Sequence, residues 1–237
     1  MNMSNLRANY HKVLCAEVLG MRNGVVNIAD RDSAKSVGIA AGIVSRIKYP
    51  LSATTSGGQQ AGASFERITR DYLDNAFKLL QHLRPGTWRF SVHGEITDYE
   101  QYAHLADLDR VLTAYPELKA ALGDYLIKPD ILVSRTPISD DEINAKGNSV
   151  NSAVAQFSPL RQSNNELPIL HASISCKWTI RSDRSQNART EGLNLIRNRK
   201  GNTPHIAIVT AEPLPSRISS VALGTGDVDC VYHFALH

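Results

Sequence analysis

Between Leu170 and Arg181 apolar and polar residues alternate without interruption. Leu170, Ala172, Ile174, Cys176, Trp178 and Ile180 fall on one side, and His171, Ser173, Ser175, Lys177, Thr179 and Arg181 on the other. A period of two over that length predicts a half-buried strand. Lys177 is then expected on the polar face beside Ser175, directly before the charged turn Arg181-Ser182-Asp183-Arg184. An earlier apolar run, Tyr125 to Val133, carries a single carboxylate, Asp130, behind Pro129. Further short strands are expected at Trp88 to Val92 and His205 to Thr210, with apolar runs at Ser219 to Leu223 and Cys230 to Leu236 as a possible fourth and fifth.

Helical spacing appears between these runs. Val37, Ala40, Ile43, Val44 and Ile47 recur along Ala34 to Ile47, with Ser33 as a cap. A second helix is expected from Ser64 to Leu83, with Glu66 in its first turn and Arg84-Pro85-Gly86 ending it. Helical stretches from Tyr99 to Ala114, Pro116 to Leu122 and Ser185 to Arg199 follow the same logic. Pro50 to Gly62 reads as a loop, either lying against a ligand or plain surface, and Ser139 to Glu166 as a long polar excursion with a short helix.

Composition narrows the class. At 237 residues and 42% hydrophobic, the chain can bury one substantial core, as one α/β domain. A net charge of +3 permits a nucleic-acid partner without requiring one. More telling, Arg181, Arg184, Arg189, Arg197, Arg199 and Lys200 crowd one segment, as a phosphate-facing surface or a solvated helix face would. Cys15, Cys176 and Cys230 have no metal-type spacing, and their odd number argues against a disulfide framework. With no signal-peptide core in Met1 to His11 and no apolar stretch of about 18 residues, a cytoplasmic protein that does not engage a membrane is expected.

Hydrolysis of a phosphodiester needs charge neutralised at phosphorus, a metal or base to ready water, and help for the departing oxygen. A strand carboxylate, Asp130, and a strand lysine, Lys177, supply the start of that set if neighbouring strands bring them to one end of a sheet. Hard cations such as Mg2+ prefer oxygen ligands, so further carboxylates are needed, and Glu191 and Glu66 are the candidates. Each has a plainer reading: Lys177 as an edge-strand residue that deters aggregation, the acids as solvated partners of Lys or Arg. Arg181, Asp183 and Arg184 suit G·C pairs read in the major groove, since arginine bonds guanine O6 and N7 and a carboxylate accepts from cytosine N4. Asp183 could equally cap the following helix, and the arginines could simply touch phosphates.

Several ordered blocks carry a resemblance. Pro129-Asp130, Ser175 through Arg184, Asn187-Ala188-Arg189, Glu191 through Leu195, Thr210-Ala211-Glu212-Pro213, Pro215 through Ser220 and Tyr232 through Leu236 together resemble type II restriction endonucleases of the PD-(D/E)xK nuclease superfamily. The resemblance implies a restriction-endonuclease-like α/β core, a central mixed β-sheet flanked by helices, with an N-terminal helical segment over 1–63 packed on a catalytic core over 64–237. It implies Mg2+-dependent cutting of palindromic double-stranded DNA, GCCGGC after the first G, by a homodimer or a homotetramer of two back-to-back dimers. Position by position it makes Asp130 a metal ligand, Lys177 the catalytic lysine and Glu191 the second acid, carried on a helix while Ser175 fills the usual strand position. Cys176 joins Asp130 and Glu191 in the implied metal set, and Glu66 becomes a supporting acid. Arg181, Asp183 and Arg184 would read the central CCGG, Arg217 the outer pair, and Gln59 would approach the minor groove. Two departures are expected to matter: Asp32 places an acid near a phosphate-bearing groove, where Ser33 would substitute, and supporting helices beyond the Tyr232 to Leu236 block are expected to be missing after His237. The alternative is a non-catalytic or structure-selective DNA-binding protein of the same superfamily.

Overall fold

The computed structural model describes residues 2–53, 57–122, 126–180, 182–223 and 226–236, with the side chains of all these except 122 and 182–186. The chain opens with helix α1, Met3–Glu17, capped by the Asn2 side chain on the Asn5 N–H. A two-stranded hairpin, β1 (Met21–Arg22) and β2 (Val25–Val26), leads to α2, Ala34–Ile47, where the Ser33 hydroxyl accepts from Ser36 N–H as its cap. Next come α3 (Gly58–Leu79), β3 (Trp88–Val92), a short 3-10 turn (Ile96–Asp98), α4 (His104–Thr113) and α5 (Pro116–Leu122). Strand β4 (Ile131–Arg135) and the short α6 (Asp140–Ile143) precede β5 (Ile169–Lys177), and the chain continues through α7 (Ser182–Asn198), β6 (His205–Thr210), α8 (Pro215–Ala222) and β7 (Cys230–His233).

The last five strands make one mixed sheet in the order β3-β4-β5-β6-β7. The first three pair antiparallel and the last three parallel, so β5 is the seam between the two halves. That central position overturns two expectations at once. Lys177 is not on an edge, and the strand is not half-buried: Ser173 and Ser175 are buried as fully as Ile174 between them. A strand covered on both faces loses the exposed side that alternation predicts.

Alternation also fails in parity. Pairing steps from Val133 with Ala172 to Ser134 with Leu170, leaving His171 as an extra residue in a β-bulge. Leu170 therefore packs with Leu132, Leu195 and Ile206 on one face, whereas Ala172, Ile174 and Cys176 join Phe65, Ile68 and Ile131 on the other. His171 sits against Phe77, Trp88 and His205.

Two helical layers cover the sheet. Leu14, Leu19, Ile28 and Ala40 from the N-terminal segment share one cluster with Phe65, Val133, Cys176 and Trp178, and Phe65 meets Trp178 edge to face at 5.1 Å. On the opposite face Tyr102, Leu105 and Leu112 pack with Leu170 and Leu195, and Tyr102 Oη donates to the Leu195 carbonyl at 2.9 Å, tying α7 to the rest. Each such aromatic or leucine side chain contributes about 1.5–3 kcal/mol on burial.

Several boundaries differ from the sequence reading. The end of the expected Pro50 to Gly62 loop is helical, because α3 starts at Gly58, and Glu66 lies beyond its first turn. Residues 99–103 precede α4 as turns, α7 begins at Ser182, three residues early, and the apolar run beginning at Ser219 belongs to helix α8, where Pro215 supplies a fixed φ suited to the first helical position. Tyr125, the start of the Asp130 run, lies outside the described residues. Among the described residues all three cysteines are free, and no helix is long and apolar enough to cross a membrane.

Candidate active site

Asp130 occupies the bend immediately before β4, and Lys177 is the last residue of β5. Because β4 and β5 are neighbours, the two meet where the ladder runs out. Asp130 Oδ2 accepts the Cys176 N–H at 2.7 Å, taking over the main-chain acceptor role beyond the paired region, and lies 3.3 Å from Lys177 Nζ. Both side chains are about one-fifth exposed, at 17% and 19%, so the pair is only partly screened by water yet still reachable. A carboxylate oxygen fixed by a backbone donor and a cation is pre-set in one orientation.

Ser175 precedes Lys177 by two residues and shares its side of the strand. Its hydroxyl donates to Glu191 Oε2 at 2.9 Å, which draws the acid carried by α7 to the strand that bears the lysine. Next to Glu191, residue 192 is glycine and lets α7 pack closely on the chain before β7: a Cβ there would stand 2.5 Å from the Asp227 carbonyl oxygen.

Glu66 reaches the same end of the sheet from α3. Burial, reinforced by the negative charge of Asp130, raises its pKa, with His93 and Lys177 pulling the other way. His93 Nε2 is 3.1 Å from Glu66 Oε2, but not in line for a hydrogen bond, so that buried oxygen has no donor among the described residues. Glu66, His93 and Asp130 each place a ligand atom within 4.8 Å of the other two. An unsatisfied buried carboxylate oxygen next to a second carboxylate is chemistry that a divalent cation completes, so the donor set fits a metal ion.

His93 escaped the sequence reading. It follows β3 with φ at 55°, a conformation uncommon outside glycine, while its N–H donates to the Asp130 carbonyl at 3.2 Å. Nothing in the local sequence announces that turn; the pairing of β3 with β4 imposes it.

Cys176 stands differently from what the implied metal set suggests. Its thiol is buried in the apolar cluster under α3, and burial, then the charges of Asp130 and Glu66, push its pKa well up. The contact it makes with Asp130 is through its main-chain N–H.

Gln59 is exposed in the first turn of α3. Arg217, on α8, is ion-paired with Asp30 and lies 3.7 Å from Glu212. Ser33 is engaged as the cap of α2, and Asp32 donates its N–H to the Asp30 side chain at 3.3 Å. Arg181 lies outside the described residues, as do the side chains of Asp183 and Arg184.

The chain matches the family described as NgoMIV restriction enzyme over residues 10–237. It is 51% identical over 238 residues to the type II restriction enzyme NgoMIV of Neisseria gonorrhoeae, covering 98% of this chain and 83% of that protein. The chain belongs to the NgoMIV restriction enzyme family.

Two solved structures are also similar at 14% and 13% identity: the type IIF restriction endonuclease Bse634I with cognate DNA, over 96% of this chain and 87% of that one, and Bse634I restriction endonuclease, over 98% and 94%. Their TM-scores are 0.44 and 0.43. An NgoMIV-family enzyme is a type II restriction endonuclease.

Proposed function

We infer that this endonuclease hydrolyses both strands of double-stranded DNA at GCCGGC, after the first G, in a reaction that requires Mg2+. The observation that carries the catalytic part is the convergence of Asp130, Lys177 and Glu66 at one end of the sheet, with Glu191 brought to the same strand through Ser175. Asp130 and Glu191 would hold the ion, with the Cys176 main chain completing the set and Glu66 as the supporting acid. The ion supplies charge neutralisation at the scissile phosphate and a lowered pKa for water.

The residues do the rest. Lys177 positions the attacking water and offsets the charge that grows on the phosphate oxygens, while Asp130 keeps its ammonium in place. As the new bond from water oxygen to phosphorus forms, the bond from phosphorus to the leaving oxygen breaks. One proton leaves the attacking water, and the departing oxygen takes one from solvent. Burial around Glu66 and Ser175 keeps bulk water away from everything but the open rim.

Recognition is assigned to the segment that leaves β5. Arg181, Asp183 and Arg184 would read the central CCGG, Arg217 the outer G·C pair, and Gln59 the minor groove. A palindrome has two-fold symmetry and two strands to cut, so at least a homodimer is needed, and a homotetramer of two back-to-back dimers would hold two copies of the site. Three free thiols are compatible with the reducing cytoplasm.

Incubating the protein with plasmids that carry or lack GCCGGC, in Mg2+, tests the reading. Discrete fragments from the site-bearing plasmid alone are expected. Cutting governed by DNA shape, or specific binding without cutting, would overturn it in favour of a structure-selective or non-catalytic role.

A further inference from the structure

The side chain of Glu212, in the corner that follows β6, is only 1% exposed and takes no part in the site at the end of β5. A buried carboxylate is costly unless its oxygens are filled. Here Oε2 accepts the Ile180 N–H at 2.9 Å and Oε1 the Leu214 N–H at 3.1 Å, with Arg217 Nη1 3.7 Å from Oε1. Its own N–H donates to Thr210 Oγ1 at 3.1 Å, which ties the Glu212 main chain to the end of β6.

One side chain thus joins the end of the β5 segment to the start of α8, which is distant from it in sequence. Ile180 is the last residue before Arg181, Leu214 is the residue that opens α8, and Arg217 is on α8 itself. A hydrophobic residue of similar volume would hold a plain corner at lower cost. What the charge adds is direction: it holds the Ile180 N–H and draws on the Arg217 guanidinium, which Asp30 pairs from its other side.

We propose that Glu212 is a positioning residue for sequence discrimination, fixing Ile180, the residue before Arg181, and the Arg217 guanidinium in one frame without itself touching DNA. The proposal rests on the reading that Arg181, Asp183, Arg184 and Arg217 contact bases. Its signature is a change in relative preference between sites, because a residue that merely stabilises the fold alters the active fraction equally for every substrate.

The test is kcat/KM on a GCCGGC duplex and on duplexes with one outer or one inner base pair replaced, measured in Mg2+ well below the melting temperature. Glu212→Gln keeps the volume but has one acceptor oxygen, so either Ile180 or Leu214 faces an amide NH2. The preference for GCCGGC is expected to fall about tenfold, the scale of one good base contact weakened. Thr210→Val, which removes only the acceptor for the Glu212 N–H, should shift the preference in the same direction by less, and it decides the matter if Glu212→Gln does not fold. Folded variants with the wild-type ratio of kcat/KM values would overturn the proposal. A wild-type protein that shows no preference for GCCGGC would overturn the underlying reading first, and this proposal with it.

Discussion

Replacing Ser175 with Ala removes one oxygen and leaves every acid and the lysine in place. The hydroxyl is buried and donates to Glu191 Oε2 at 2.9 Å, a bond to an acidic acceptor worth about 1.5–3 kcal/mol when water is kept out. Glu191 is only partly buried, so water replaces much of the lost donor, and the cost to folding shrinks to about 1 kcal/mol. For a chain of this size that is a fall in Tm of about 2–4 °C. With Glu191 holding the ion as proposed, the larger consequence falls on ion binding, because partners that orient a metal ligand are typically worth about 10- to 100-fold in affinity or activity. Single-turnover cleavage of a labelled duplex across a Mg2+ titration should therefore show the half-saturating concentration raised about tenfold, with much of the rate restored at high Mg2+. The same change made on a Glu191→Ala background should do nothing further, since Ser175 acts only through that acid. Superimposable Mg2+ curves for wild type and Ser175→Ala, or equal effects on both backgrounds, would refute the argument.

Lys177→Ala should abolish cleavage in Mg2+ while specific binding, measured in Ca2+, stays largely intact; normal cutting by this variant would remove Lys177 from the chemistry. Gly192→Ala should lower the melting temperature and cleavage together, since its Cβ would meet the Asp227 carbonyl at 2.5 Å and force α7 outward at a cost of about 1–3 kcal/mol; an unchanged melt would contradict that close approach. His171 has its pKa pushed down to about 4, chiefly by burial and then by His205, Arg84 and Arg135. Its depressed value means that the stability it contributes is complete above the ordinary histidine value of 6.5 and drains away as pH falls from there towards 4, where the unfolded chain takes a proton and the folded one does not. Melting curves from pH 7 to 4 should thus be flatter for His171→Leu than for wild type, and parallel curves would show that His171 carries no such linkage.

Much of the site was legible because it sits on chain with strong local patterns. Asp130 behind a proline and Lys177 in an alternating run marked two ends that need only lie on adjacent strands to meet, and they do. The helix capped by Ser33 and the strands at Trp88 and His205 likewise announced themselves. What escaped depended on distant chain. Whether Ser173 and Ser175 are buried is decided by the layers packed on β5, and the bulge at His171 by its register against β4. The positive φ of His93 follows from where β3 leaves the sheet. Periodicity alone did not mark helix α1, since its buried Leu6, Tyr10, Leu14 and Cys15 form a thin stripe among polar neighbours. At Ser219 to Leu223 a short apolar run fitted either period, and the deciding signal was Pro215, upstream of it.

Helix α7 begins at Ser182, inside the segment assigned to base reading, and carries Glu191 on the same unbroken length. At 1.5 Å per residue the two are separated by roughly 13 Å of stiff rod. A poorly matched base pair that displaced the first turn of such a rod would drag the acid with it, so an incorrect sequence would be penalised in catalytic rate as well as in affinity, and proofreading would require no moving part beyond the lever itself.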